Sequence, residues 1–331
     1  MSSRNLASRG ESSTMKADAV AAKLAALGVK LPGAASLAAL LQLQGHTLCD
    51  PSSRRGFHPL VAPLAKTAGT SVLGVLRWPL PDGEPVLVRA QPADASPRPL
   101  AGHTLKLVGT PAQFARRVAA EADASGDAAA TSLVAAAAAA ADDAGAAPYA
   151  AGELAASKLR LEHFLLLRVG PFADVWEAVA RAHLAKGDET AAFVAAERST
   201  ELNPGWGNGA WLQAELLASL GRHEERRDMA LAALEAPYWT IGAPVATVQA
   251  AAQLSHMGDL RAMQRGLEKQ AREAQGAAAP TPKEAALEEA LDALDAVVRT
   301  GGDFEDARPA VADALERAGL AEEARLARGE D

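Results

Sequence analysis

The chain has 331 residues, which is enough for two ordinary domains or for one long solenoid. Hydrophobic residues make up 49% of it but aromatic residues only 4%, and such small side chains suit closely packed helix pairs better than a thick core between sheets. Residues 283–331 contain 14 of the 41 acidic residues and 6 of the 33 basic ones, so they carry the whole net charge of −8 and leave the rest neutral.

These features predict a mostly α protein and exclude several classes of function. No cluster of lysine and arginine with interleaved aromatic residues occurs, so we expect no nucleic-acid partner. No uncharged run of 18 apolar residues occurs outside the alanine tract, so we expect no membrane span. The single cysteine, Cys49, excludes an internal disulfide framework and a cysteine-based zinc site.

The first segment, residues 1–49, is predicted to be helical. Residues 1–16 are rich in serine and arginine, as organelle transit segments are. Because the chain retains this segment, we expect a cytoplasmic protein or one of a cytoskeletal assembly such as a cilium, with the chloroplast as the alternative. Residues 15–45 have apolar residues at helical spacing and a glycine after each run, which predicts two short helices.

Residues 50–110 differ in kind and predict a small β-containing region. SVLGVLRWPL and PVLVRAQP are two apolar runs on either side of Asp82-Gly83, the strongest short signal for a β-hairpin. HTLKLVG (103–109) is a candidate third strand. The alternative is an extended linker packed on helices. Residues 111–170 then predict connecting helices, the first of them beginning with Thr110 as N-cap and Pro111 at its first position.

Residues 171–331 contain an internal repeat. Gly187-Asp188 and Gly221-Arg222 each end a helical run, and they lie 34 residues apart in the chain. The first unit has an aromatic residue, two alanines, the turn glycine and a final proline in phase. These residues are Trp176, Ala180, Gly187, Ala192 and Pro204.

With these residues in phase, residues 171–327 resemble tetratricopeptide-repeat proteins, which implies an α-solenoid of stacked helix pairs. Looser units follow at Gly258-Asp259 and Gly302-Asp303, separated by an inserted loop over 276–282, and an acidic helix caps the end. The acidic helices have two interpretations, a solvated face or a surface that docks on basic residues. In chaperone-binding members of that family a clamp of lysine, asparagine and arginine binds a carboxylate. Only Arg181 matches it here, which argues against that role.

The one aromatic cluster in this aromatic-poor chain also has two interpretations. The first is packing between repeats. The second is a protein-binding hot spot, where tryptophan and tyrosine are enriched. With Arg181, the cluster supplies the candidate protein-binding residues, which are Arg181, Trp206, Trp211, Tyr238 and Trp239.

Four short stretches carry a second resemblance. FHPL (57–60), LRWP (76–79), VGTPAQFARRVAAEADA (108–124) and PYWTIGAP (237–244) are similar to a family in green plants and algae, in which a small N-terminal portion precedes degenerate repeats. This family resemblance implies no particular biochemical activity.

No catalytic signature appears: GxxxxGK, HExxH and GxSxG are all absent, and the seven histidines are dispersed. We therefore expect no enzyme, no cofactor and no metal site, but a scaffold or assembly subunit whose repeats bind other proteins of a larger complex. Two alternatives remain. One is a plastid assembly factor. The other is an enzyme or small-ligand binder with a site in residues 50–110, around His58, Arg77, Trp78 and Arg89.

Overall fold

The structure is a computed structural model of the chain. It describes residues 15–67, 71–78, 84–90, 104–126, 129–255 and 279–329, together with residues 263, 265–267, 270 and 274. The described part is mostly helical, with one small antiparallel sheet near the N-terminus. The transit-like residues 1–14, the Asp82-Gly83 turn and the Gly258-Asp259 unit lie outside it.

Two short helices lead into the sheet, as the apolar spacing predicted. They are α1 (Ala17–Ala26) and α2 (Ala34–Leu43). Five strands follow: β1 (Thr47–Leu48), β2 (Val61–Lys66), β3 (Val72–Leu76), β4 (Val86–Ala90) and β5 (Lys106–Gly109). Each strand pairs antiparallel with the next, so the sheet is a simple meander.

The predicted hairpin and third strand are present. Strands β3 and β4 pair in unbroken register from Val72 opposite Ala90 to Leu76 opposite Val86. All five residues of β3 are buried, because helices cover the sheet and its side chains alternate between the two faces. The alternative of an extended linker is therefore wrong for the strands of this region.

Helix α3 (Pro111–Ser125) begins at a capping box. The Thr110 hydroxyl accepts from the Gln113 backbone N–H, and the Gln113 side chain accepts from the Thr110 N–H. Helix α4 (Ala130–Asp143) packs on α3, where alanines let the two helices approach closely. Two short helices, α5 (Glu153–Ser157) and α6 (Leu161–Phe164), and a π-helical turn at Leu165–Val169 complete this part.

Successive helix pairs form the next part of the chain. They are α7 (Ala173–Leu184), α8 (Glu189–Leu202), α9 (Asn208–Ser219), α10 (His223–Glu235) and α11 (Val245–Ala251), with a 3-10 turn at Tyr238–Thr240. Each helix packs on the one that follows it. Gly187 and Gly221 have φ of 77° and 71° at the turns within the first two pairs, as a left-handed turn requires. The tetratricopeptide type of these pairs stays a prediction.

The three acidic C-terminal helices turn back onto the N-terminal region. They are α12 (Pro282–Thr300), α13 (Phe304–Arg317) and α14 (Ala321–Arg328). One hydrophobic core extends from Val20 in α1 to Ala327 in α14, and a smaller cluster lies between α7, α8 and α9. Within the described residues, no helix is both long enough and apolar enough to cross a bilayer.

Candidate functional site

Five rings meet where the sheet region, the repeats and the C-terminal helices come together. Trp239 lies at the centre, and its ring centroid is 4.8 Å from that of His58, 5.7 Å from that of Trp78 and 5.9 Å from that of Trp206. The ring centroid of Phe304 lies 5.3 Å from that of His58. The rings are tilted or edge-to-face, the geometries that aromatic quadrupoles favour. We call these five residues the ring cluster.

Backbone bonds fix the turn that carries Trp239. The Leu105 N–H donates to the Trp239 carbonyl at 2.7 Å, which connects the turn to the segment before β5. The Tyr238 N–H donates at 2.8 Å to the carboxylate of Asp295, a residue of α12 that is only 1% exposed. The 3-10 turn is therefore bonded to both the N-terminal and the C-terminal parts of the chain.

The His58 imidazole is neutral and closed off from solvent. Its Nδ1 accepts from the Leu60 N–H at 3.2 Å, which leaves the proton on Nε2. Burial, and then the positive charge of Arg308, lower its pKa to about 3. This burial disfavours His58 as a base for catalysis, because a substrate would have to reach it through the ring cluster and a pKa so far below 7 makes it a weak base.

Two buried arginines hold the end of the last helix. Arg54 donates to the carbonyl of Leu326, and Arg308 donates to that of Ala327 at 3.1 Å. Arg308 also donates to the Arg54 carbonyl at 2.7 Å. The last carbonyls of a helix lack partners within it and carry the negative end of its dipole. The two guanidinium groups therefore stabilise α14 and tie it to residues 54–60.

The acidic face of α14 binds the side chain of Arg77. Its guanidinium lies 2.6 Å from the Glu322 carboxylate and 3.0 Å from that of Glu323, and it also donates to the Gly28 carbonyl. Lys30 forms a further ion pair with Glu322 at 3.1 Å. Arg77, one of the residues of the enzyme alternative, therefore pairs with part of the C-terminal acidity instead of facing an open pocket.

The candidate protein-binding residues lie in two different settings. Trp206, Trp211, Tyr238 and Trp239 are between 0% and 9% exposed, which favours the packing interpretation of the aromatic cluster. Arg181 alone is at the surface, where it pairs with Glu177 at 3.0 Å and with Glu215 at 2.6 Å. The structure brings Trp206, Tyr238 and Trp239 together but leaves Arg181 apart on α7.

A second junction joins α3 to the first repeat helix, α7, beside a small cavity. Arg117 of α3 binds Asp174 of α7 through two 2.8 Å hydrogen bonds and Glu121 through a third. Burial raises the pKa of Asp174, but the bonds and charge of Arg117 outweigh it, so the pKa lies below its usual value. Arg117 also lies 5.0 Å above the ring of Phe172. Arg89, the last residue of the enzyme alternative, lines the neighbouring cavity.

Sequence reasoning missed Arg54, Arg117 and Arg308. The last two lie inside helices, where an arginine ordinarily indicates a solvated face, and their partners in other segments explain why Arg308 is buried and Arg117 half-buried. Arg117 could have been singled out because it lies within the 108–124 stretch, one of the four that carry the plant-family resemblance. Among the described residues, no group of three or more histidine, cysteine or carboxylate side chains is placed to hold a metal ion.

Comparison with known proteins finds two domain models of one family along this chain. The PAB N-terminal domain matches residues 30–168, and the PAB middle domain matches residues 173–258. The chain is also 32% identical over 218 residues to Protein IN CHLOROPLAST ATPASE BIOGENESIS, a chloroplastic protein of Arabidopsis thaliana. That alignment covers 65% of this chain and 62% of the relative, so the chain spans less than two thirds of the relative's length. No solved structure matches the chain.

These matches support the predicted resemblance to a green-plant and algal family, and they do not show the resemblance to tetratricopeptide repeats. They give no support to a ciliary location, whereas the plastid alternative agrees with the chloroplastic relative. From residue 30 to residue 258 the chain is thus composed of a segment similar to the PAB N-terminal domain followed by one similar to the PAB middle domain, and it resembles a plant protein of chloroplast ATPase biogenesis.

Proposed function

We propose that this protein is a non-enzymatic assembly factor of the chloroplast that acts in the biogenesis of the plastid ATPase by binding other proteins. The observation that carries the proposal is the 32% identity over 218 residues with the Arabidopsis biogenesis protein, which combines with the matches to two successive PAB domains. This is the plastid alternative of the sequence analysis. The proposal assigns the protein to the chloroplast instead of to a cilium, and it retains the expected role in assembly.

The helix pairs supply a scaffold suited to that role, and we propose that they are of tetratricopeptide type. Positions 34 residues apart occupy equivalent places in successive pairs: Ala180 and Ala214 are both fully buried, and Arg181 pairs with Glu215 across α7 and α9. Stacked pairs of this kind offer an extended surface for partner proteins. The surface position of Arg181 keeps it as a candidate contact for a partner carboxylate.

The test is replacement of the relative in the plant. A line of Arabidopsis thaliana that lacks the biogenesis protein would receive this chain fused to a plastid transit peptide, and assembled plastid ATPase would be measured on native gels. We expect the amount of assembled enzyme to rise toward that of the parent plant. The same transit peptide fused to an unrelated protein is the control, and it should leave assembly unchanged.

A second measurement applies if this chain differs too much from the Arabidopsis protein to replace it in the plant. Affinity purification of the tagged protein from its own source should recover ATPase subunits. If the chain accumulates in plastids, fails to restore assembly and is recovered without ATPase subunits, the proposed function is wrong. Attention would then turn to residues 50–110.

A further inference from the structure

Two like charges stand directly opposite each other in the sheet. The pairing of β4 with β5 places Arg89 opposite Lys106, and the pairing of β3 with β4 places Leu73 opposite Arg89. Residues in register project to the same face, with Cβ atoms about 5 Å apart, and like charges at such positions repel. Within the described part of the chain, neither cation forms a direct ion pair, and the one carboxylate whose pKa the charge of Arg89 helps to lower is Asp174, which is already bound by Arg117.

Both cations line a cavity of about 100 Å³ between the sheet and helices α3 and α7. Its apolar wall includes Leu73, Phe114 and Val118. The two carboxylates on the lining, Glu121 and Asp174, both accept hydrogen bonds from Arg117. The cavity therefore combines a partly enclosed apolar wall with two adjacent, exposed cationic side chains at its side.

Two further polar groups on the lining suit a ligand with negatively charged oxygens. Burial, and then the charge of Arg89, lower the pKa of His46, so its ring is subject to the positive potential of the cavity. The Gln44 side-chain amide also lines the cavity, and its Oε1 is buried with no hydrogen-bond partner among the described residues. Its amide can turn to offer N–H donors instead of the oxygen.

We propose that this cavity binds a free oxyanion of the size of inorganic phosphate, held by Arg89 and Lys106. An anion between the two cations would replace their repulsion by charge-assisted hydrogen bonds, which are the strong kind. The volume sets the size of the ligand, because pockets for larger small molecules usually measure about 300–1,000 Å³. A nucleotide or a phosphorylated peptide would not fit inside. This inference does not depend on the proposed function.

The test is calorimetric titration of the full chain with sodium phosphate, at pH 7.5 and at an ionic strength held constant with sodium chloride. We expect one site in the wild type and affinity at least about tenfold weaker in the double variant R89Q/K106Q. The control R55Q/K283Q loses the same two charges at exposed positions that line no described cavity, and it should bind as the wild type does.

Thermal unfolding supplies a second readout. Phosphate should raise the midpoint of the wild type and of the control variant but not that of R89Q/K106Q. Without phosphate, R89Q/K106Q should unfold close to the wild-type temperature, because it loses the cross-strand repulsion together with the attraction between Arg89 and Asp174. The conservative variant K106R should retain phosphate binding, which keeps the test valid if the double variant fails to fold.

Three results would overturn the proposal. The first is no phosphate binding by the wild type. The second is equal phosphate stabilisation of the wild type, R55Q/K283Q and R89Q/K106Q. The third is binding of AMP or a phosphoserine peptide as tightly as phosphate, since ligands of that size need an open surface and not this cavity. ATPase assembly in plants tests the proposed function separately, so the two can fail independently.

Discussion

The imidazole of His58 and the indole of Trp239 lie with their ring centroids 4.8 Å apart. One residue belongs to the FHPL stretch and the other to PYWTIGAP, two of the four stretches that carry the plant-family resemblance. Trp78, from a third stretch, contacts the same indole at 5.7 Å. Three stretches that are far apart in the chain therefore meet at one point of the core.

Removal of the central ring should destabilise the whole fold. The variant Trp239→Ala would leave a cavity between the N-terminal region, the repeats and the C-terminal helices. We expect it to lower the free energy of unfolding by about 3–5 kcal/mol, as measured by urea denaturation. Leu167→Ala is the control, because that side chain is 66% exposed and should cost less than about 0.5 kcal/mol. A loss below about 1 kcal/mol for Trp239→Ala would mean that the ring cluster does not join the three parts.

Acid should weaken the fold through His58. The pKa of His58 is about 3 in the folded chain and about 6.5 in the unfolded chain. Between these two pH values the unfolded chain binds the proton and the folded chain does not, so the free energy of unfolding decreases as the pH is lowered through this range. Lowering the pH from 7.5 to 5.0 should reduce the free energy of unfolding by about 2 kcal/mol through this one group.

Urea denaturation at the two pH values, on the wild type and on His58→Asn, measures this contribution. An asparagine oxygen can accept the Leu60 N–H in place of Nδ1. The variant should lose about 2 kcal/mol less than the wild type between the two pH values. An equal loss in the two proteins would show that His58 is not buried in its neutral form.

Loss of Arg308 should release the last helix. The variant Arg308→Met removes the donor to the carbonyls of Ala327 and Arg54. We expect the two buried carbonyls left without this partner to lower the free energy of unfolding by about 2–4 kcal/mol together. Hydrogen exchange read by mass spectrometry should show faster exchange in Ala321–Arg328 than in the wild type, with less change in Asn208–Ser219. Arg317→Met is the matched control on the same helix, because its ion pair with Glu289 is exposed and screened by solvent. Unchanged exchange in the last helix would contradict the anchoring role of Arg308.

The ion pair between Arg181 and Glu215 should contribute little to stability. Their side chains are 48% and 40% exposed, so a double-mutant cycle with alanine should give a coupling below about 1 kcal/mol that disappears at high salt. If Arg181 binds a partner, Arg181→Ala should instead reduce the proteins that copurify with the tagged chain while leaving its unfolding midpoint nearly unchanged. A coupling above about 2 kcal/mol would make the pair a structural element of the stack.

Local sequence determined the secondary structure in most of the described chain. Thr110 and Pro111 fixed the start of α3. The Thr110 hydroxyl accepts a hydrogen bond from a backbone N–H of the first turn, and Pro111 has no N–H that would need an acceptor, so no distant partner is required. The hairpin of β3 and β4 followed from two apolar runs on either side of a turn signal. The turns of the helix pairs followed from Gly187 and Gly221, since a positive φ there strongly favours glycine.

Tertiary structure alone decided which polar residues are buried and which segments meet. The sequence around Arg54 and Arg308 has no pattern that distinguishes them from surface arginines, because their partners are carbonyls at the end of a helix far along the chain. The cross-strand neighbours Arg89 and Lys106 became visible only when the register of β4 and β5 was known. Periodicity and capping are local and can be read from a few neighbouring residues, whereas these contacts depend on how distant elements pack.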